Sequence, residues 1–232
     1  MKIQQFKYSH DNFGYLVYSD GCGIAIDMGD ADALVAFAAR NKIRITHVTN
    51  THLHHDHTSG NTATLEKTGA PFLDCREFVQ DQVIPVGSEG LRVLITPGHT
   101  LDSVCFDGGD FLVTGDTLFN GTVGNCFSGD LDAFYHSIKQ IMAFPKQTLI
   151  YSGHDYVKES LTYAASIEGQ TKEIQDYLAK YNPAWVVSTL GDELLVNPYL
   201  RFNDPGMLAR LEKASLPMGS ELERFKAVME IF

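Results

Sequence analysis

Basic residues are scarce in this chain: 18 lysines and arginines stand against 29 aspartates and glutamates, a formal net charge of −11. Phosphate backbones are bound by cationic surfaces, so nucleic acid is not expected as the main partner. An anionic small molecule, which responds to local charge, is not excluded. No apolar run approaches the ~20 residues that cross a bilayer, and no membrane partner is expected. Cysteine is sparse too. Cys22, Cys75, Cys105 and Cys126 form no Cys-x-x-Cys pair and fall at no ligand position, so no thiolate site is expected. With no signal-peptide pattern at Met1-Lys2-Ile3-Gln4, they are expected to be reduced thiols of a cytoplasmic protein, most of them in the core. Solenoid repeats and low-complexity segments are absent as well. What remains is ordinary globular composition: 232 residues, 44% hydrophobic and 20% charged, enough for one large domain or for one domain with a small appendage.

One stretch departs from the ordinary. Thr51-His52-Leu53-His54-His55-Asp56-His57 packs four histidines and one aspartate into positions 52–57, directly after a strand-like run. His52, His54, Asp56 and His57 form a His-x-His-x-Asp-His pattern, and imidazole nitrogen with carboxylate oxygen is a donor set that borderline divalent metals accept. In an extended chain positions 52, 54 and 56 point one way, while 57 breaks the alternation. A single short loop can therefore feed two adjacent ions. The alternative, a histidine-rich surface tract, is disfavoured by the position of the motif at a strand end inside the fold.

The rest of the first two-thirds repeats one device: an apolar strand, then glycine, then a histidine or aspartate. Residues 14–18 and 23–27 flank a turn at Asp20-Gly21, residues 31–41 read as a helix behind Asp30, and residues 42–50 lead into the histidine loop. Residues 60–68 read as a short helix and 71–73 as a short strand. Residues 91–96 run into Pro97-Gly98-His99-Thr100. Residues 103–106 and 111–114 form a hairpin around Asp107-Gly108-Gly109-Asp110, and the second strand ends at Gly115-Asp116-Thr117. Asp130 caps a helix with Leu131, Phe134, Tyr135, Ile138, Ile141 and Met142 on one face, and residues 148–152 end at Gly153-His154-Asp155. Ligands placed this way converge where the loops gather at one sheet edge. After Tyr156 the texture turns helical, over 159–167, 171–181, 205–214 and 221–231, with a capping box from Ser220 to Glu223. No strand run of comparable quality follows. The division expected is a metal-binding α/β domain over 1–157 and a small helical domain over 158–232.

The ordered set Thr-His-x-His-x-Asp-His, Pro-Gly-His-Thr, Gly-Asp-Thr-Leu-Phe and Gly-His-Asp-Tyr resembles the metallo-β-lactamase superfamily, and within it the glyoxalase II enzymes, the hydroxyacylglutathione hydrolases. Ser188-Thr189-Leu190-Gly191-Asp192-Glu193 and Asn197-Pro198-Tyr199-Leu200-Arg201 resemble the helical domain of that family, so the likeness covers nearly the whole chain. It implies an αββα sandwich followed by helices. It assigns His52, His54 and His99 to one metal and Asp56, His57 and His154 to a second, with Asp116 and a hydroxide shared between them. The ions would be zinc first, with iron or manganese as alternatives. The resemblance also implies hydrolysis of a thioester such as S-D-lactoylglutathione to a 2-hydroxy acid and a free thiol. Asp116 and Asp56 are then the catalytic carboxylates, and Asp56 orients the nucleophile or accepts a proton. A metal lowers the pKa of bound water toward ~7, and a thiolate leaves without strong acid assistance, so this chemistry suits the ligand set. His55 is expected outside the ligand set, and His10, His47 and His136 as ordinary histidines.

The substrate side departs from the family pattern. Its basic residue falls on Asn125 and its aromatic partner on Phe127, Tyr156 and Arg201 match positions that contact glutathione, and a further lysine is replaced in the region of Asn203-Asp204. The expectation is a thinned grip on glutathione. Competing readings are a persulfide dioxygenase using one iron on His52, His99 and Asp116, a lactonase or β-lactam hydrolase, and a non-catalytic module stabilised by metal.

Overall fold

The computed structural model describes residues 1–231. Strands β1 (Lys2–Tyr8), β2 (Asn12–Ser19), β3 (Cys22–Ile26), β4 (Arg44–Thr49) and β5 (Phe72–Leu73) form one sheet in that order, antiparallel from β1 to β3 and parallel beyond. A second sheet runs β11-β10-β9-β8-β7-β6, built from β6 (Val83–Val86), β7 (Glu89–Ile95), β8 (Val104–Asp107), β9 (Phe111–Gly115), β10 (Leu149–Ser152) and β11 (Ser188–Thr189).

The sheets face each other because their strands are apolar on both sides. Tyr15, Val17, Ile24 and Ile26 from the first sheet meet Val93, Phe106, Val113 and Tyr151 from the second. The alternate residues Leu16 and Ala25 point outward onto Leu34 and Ala38 of helix α1 (Ala31–Asn41). On the far side Leu94, Cys105, Leu112 and Ile150 point outward too. They meet Phe134, Ile138 and Ile141 of α4 (Leu131–Met142) and Phe225 and Val228 of α9 (Glu221–Ile231). Period-two alternation with both faces covered gives the four layers α-β-β-α that the family resemblance implies.

Helices α2 (His55–Thr58) and α3 (Asn61–Thr68) follow β4. Beyond β10 come α5 (Val157–Glu168), α6 (Lys172–Lys180), α7 (Leu190–Val196) and α8 (Pro205–Lys213). Local signals hold at the ends. The side chains of Asp30 and Asp130 accept from Ala33 N and Ala133 N, and Ser220 and Glu223 exchange the reciprocal bonds of a capping box. The helical segment nonetheless contributes a strand: β11 pairs antiparallel with β10, Leu149 opposite Thr189 and Ile150 opposite Ser188. Among the described residues no helix is long and apolar enough to cross a membrane.

Candidate metal centre

Strands β7, β9 and β10 run in the same direction in the second sheet, so their C-terminal ends lie on one side. Each of these ends delivers one residue expected as a ligand: His99 after β7, Asp116 after β9 and His154 after β10. The histidine loop arrives from β4 of the other sheet, tied on by Val104 N donating to Thr51 O at 2.8 Å. Its local conformation explains the broken alternation. His54 is extended (φ −62°, ψ 148°) at the N-terminus of α2, and residues 55–58 make one helical turn closed by His57 N and Thr58 N on His54 O. His52 and His54 are thus presented from extended chain, and Asp56 and His57 from a helical turn.

The described residues bring together two groups whose donor atoms lie within 4.8 Å of one another: His52, His54, His99 and Asp116, and Asp56, His57 and His154. Asp116 faces both groups. Its oxygens stand 3.3 Å from His57 Nε2, 3.5 Å from His99 Nε2, 3.5 Å from His154 Nε2 and 3.9 Å from His52 Nε2. Asp56 Oδ2 is 3.2 Å from His154 Nε2. All seven residues expected as ligands converge here. His55 and His136 are exposed, His10 is exposed beside Asp11, and half-buried His47 lies on β4; none of them joins either group.

The arrangement fits divalent cations on three observations. His52 Nε2 and Asp116 Oδ1 are buried without a hydrogen-bond partner, an arrangement a protein rarely tolerates unless another group satisfies it. Ring nitrogens face each other at 3.0 Å (His99 Nε2 and His54 Nδ1) and at 3.1 Å (His57 Nε2 and His154 Nε2), so lone pairs aim at common points. Space is kept for them by glycine. A Cβ on Gly153 would lie 2.1 Å from Asp116 Oδ1, and one on Gly124 would lie 2.8 Å from His99 Nδ1 and 2.0 Å from Asp116 O. Titration agrees for the first group: burial lowers His52 to about 4 and lowers His99, leaving both rings neutral and able to donate a lone pair near pH 7. Burial alone would raise Asp116, but the close imidazoles of His154 and His57 outweigh it and hold the carboxyl well below its ordinary range.

A surrounding shell orients these side chains, and of its members the sequence points only to Asn125, there as a substrate contact. The far nitrogen of His57 meets Asp27 Oδ2 at 3.1 Å, that of His154 meets Asp11 Oδ1 at 3.2 Å, and that of His99 meets Asn125 O at 3.0 Å. Such partners fix the ring and its tautomer. Asp27 also accepts from Thr51 N, Thr51 Oγ1 and Asn50 Nδ2, which pins the start of the loop. Asn12, nearly buried, donates to Asp56 Oδ2 at 2.9 Å and holds that half-exposed carboxylate toward His154. Asn12→Ala is therefore expected to weaken the affinity of the second metal about tenfold or more, read by competition with a chromophoric chelator. Unchanged affinity would mean that Asp56 is held some other way.

The residues expected on the substrate side divide. Phe127, 66% exposed, stands with its ring 5.6 Å from that of His54 and 5.3 Å from that of His99. Tyr156 stacks on His154 at 5.0 Å with a 4° interplanar angle. Asn125 is exposed, and its carbonyl orients His99. Arg201 is largely buried and bound by two carboxylates, Glu168 at 2.9 Å and Asp204 at 2.8 Å.

Known proteins resemble this chain in sequence and fold. The profile of the Metallo-beta-lactamase superfamily matches residues 12–76 and 67–154, and that of the Hydroxyacylglutathione hydrolase C-terminus matches residues 155–231. The hydroxyacylglutathione hydrolase of Maricaulis maris is 34% identical over 232 residues, spanning 90% of each chain, and that of a Polaromonas species is 35% identical over 229 residues, spanning 89% of this chain and 87% of its own. Among solved structures, ETHE1 from Myxococcus xanthus superposes with a TM-score of 0.71 at 25% identity, covering 99% of this chain and 90% of its own. A metallo-beta-lactamase from Staphylococcus aureus superposes at 0.66 and 24%, covering 99% and 72%. With paired His/Asp groups suited to a dinuclear metal site, and relatives above 30% identity along most of its length, the chain belongs to the hydroxyacylglutathione hydrolases of the metallo-β-lactamase superfamily.

Proposed function

We propose that the protein is a metal-dependent thioester hydrolase, which takes S-D-lactoylglutathione or a related thioester to a 2-hydroxy acid and a free thiol with two divalent ions, zinc first, in the paired groups. The observation that carries this is Asp116, a buried carboxylate facing both groups at once. Such a pair of ions lowers the pKa of a coordinated water and polarises a carbonyl oxygen. The chain supplies the rest. Asp116, held ionised, balances charge between the groups, and Asp56, half-exposed and steered by Asn12, offers a proton-accepting carboxylate on the open side. Phe127 and Tyr156 form apolar walls beside the first and second groups, suited to flank an acyl chain and its sulfur. Asn125 takes part through its carbonyl on His99. The helical segment from residue 158 onward contributes to the substrate side, and free thiols at all four cysteines support a cytoplasmic setting. Oxygen chemistry on one iron would need only His52, His99 and Asp116; a complete second group of Asp56, His57 and His154 favours hydrolysis.

Arg201 tempers the choice of thiol carrier. With Glu168 and Asp204 on its guanidinium, it has little charge left for a glutathione carboxylate. Steady-state loss of S-D-lactoylglutathione by metal-loaded protein, with metal content measured on the same sample, tests the reading. Turnover is expected with a KM that Asp204→Lys lowers about tenfold, the worth of one charge-assisted contact regained. Two bound metals without turnover of any thioester would overturn it, and iron at one site with oxygen uptake on glutathione persulfide would replace it.

A further inference from the structure

Glu193, in the first turn of α7, has no solvent exposure, and an uncompensated charge is costly there. Four donors surround it. Oε1 accepts from the Tyr177 hydroxyl at 2.5 Å and from Ser188 Oγ at 2.6 Å; Oε2 accepts from Gly121 N at 2.8 Å and from Asn197 Nδ2 at 3.2 Å. None of these partners is a metal ligand. A side chain needed only to fill this space would serve as well or better as leucine, because well-packed apolar replacements of buried charge are often neutral or stabilising. A leucine, however, cannot hold polar main chain.

The bonds lead to the metal centre by two routes. One runs through the loop after Asp116. Glu193 holds Gly121 N, and Asn197, itself bonded to Glu193, donates to Thr122 O at 2.9 Å. That loop continues to Asn125, whose carbonyl orients His99, and to Phe127. The other route runs through side chains. Ser188 Oγ accepts from Asn120 Nδ2 at 2.7 Å, and Ser152 Oγ lies 2.8 Å from Asn120 Oδ1 and 2.9 Å from the His154 carbonyl, sharing its proton between them.

We infer that Glu193 is a positioning residue for the metal centre: through Gly121, and through Ser188, Asn120 and Ser152, the C-terminal helices set the loop behind His99 and the strand end that carries His154. The inference rests on reading the paired His/Asp groups as that centre. It makes the helical segment part of the machinery that shapes the ligands, in addition to its place beside the substrate.

Three variants of the full-length, zinc-loaded protein test it. Glu193→Leu removes all four bonds, and Ser188→Ala cuts the side-chain route alone. Glu193→Gln keeps an oxygen for Gly121 and Asn197 and turns its amide to the Tyr177 and Ser188 hydroxyls, which can rotate to accept. The first readout is the rate of zinc release into excess chelator at 25 °C, which needs no turnover; the second is the split between kcat and KM. Glu193→Leu and Ser188→Ala are expected to release zinc about tenfold faster, the lower end of the cost of losing a partner bonded directly to a ligand. They should lower kcat by a similar factor with KM within about twofold, and Glu193→Gln should stay near wild type. A purely structural Glu193 would lower the melting temperature and leave zinc release and kcat unchanged, which would overturn the inference. If Glu193→Leu does not fold, Ser188→Ala, a loss of one hydroxyl, carries the test. Should wild-type protein hydrolyse no thioester, the proposed activity fails while zinc release still decides the role of Glu193.

Discussion

Asp116→Ala is expected to lower kcat/KM for the thioester by at least about a thousandfold, roughly 4 kcal/mol of lost transition-state stabilisation at 1.36 kcal/mol per decade. The size follows from sharing. Four imidazole nitrogens, from His52, His57, His99 and His154, lie between 3.3 and 3.9 Å from its two oxygens. Among the described residues no other carboxylate stands in the first group, and Asp56 stands in the second. Without Asp116 the first group keeps only its three imidazoles, and both groups lose their common anion. Asp116→Asn should be nearly as damaging despite its matching shape, since the amide lacks the charge and can turn a donor toward the metals. Steady-state kinetics with metal counting on the same samples checks this. A variant that kept two metals and wild-type turnover would show that Asp116 is not shared.

Removal of the metals should have the largest effect on stability. Ions present at about a thousand times their Kd contribute roughly 4 kcal/mol to the folded state. At about 2–4 °C per kcal/mol for a chain of this size, stripping them should lower Tm by roughly 8–16 °C. The pH dependence has a definite sign. In the metal-free protein burial alone would lower the pKa of His57, but Asp27 and Asp116 outweigh it and hold it well above the ordinary 6.5; His154 is likewise raised against burial, chiefly by Asp116. A proton on His57 then stabilises the metal-free fold. That contribution is fully present below pH 6.5 and is lost as pH rises through the folded-state value. Metal binding needs the same nitrogens bare, so below those raised values apparent affinity falls about tenfold per pH unit for each proton displaced. Both effects widen the Tm gap between loaded and stripped protein as pH rises from about 6 to about 8. A gap constant across that range would mean that the bound ions do not compete for these rings.

The residues that converge on the paired groups are legible in the sequence because strand ends announce themselves. An apolar run, a glycine and a histidine or aspartate recur at 98–99, 115–116 and 153–154, and a Cβ on these glycines would crowd Phe134 of α4 at Gly98, Thr51 at the start of the histidine loop at Gly115, and Asp116 and His57 at Gly153. Asp27 carries a weaker form of this signal, at the end of Ile24-Ala25-Ile26 but without the glycine. Asp11 and Asn12 carry no spacing signal at all. They reach His154 and Asp56 only because the turn between β1 and β2 folds across to them. Glu193 lies inside a stretch legible as family-like, and Ser188 and Asn197 are its near neighbours there, but its bonds from Gly121 and Tyr177 come from distant segments that only the tertiary fold assembles. Among the strands, β6 contains Pro85, which donates nothing to a ladder and is tolerated because β6 is an edge. The strand β11 is two residues long, too short for any alternation to register.

That short strand has a consequence for how the chain survives in a crowded cell. Without β11, the outer row of amides and carbonyls on β10 would face open water beside a strand whose Ile150, Tyr151 and Ser152 are otherwise buried. An uncovered apolar edge is a template for pairing with another molecule. A chain that stopped at the end of the sandwich would therefore carry a built-in route to self-association, and Ser188 and Thr189 close it in the native protein.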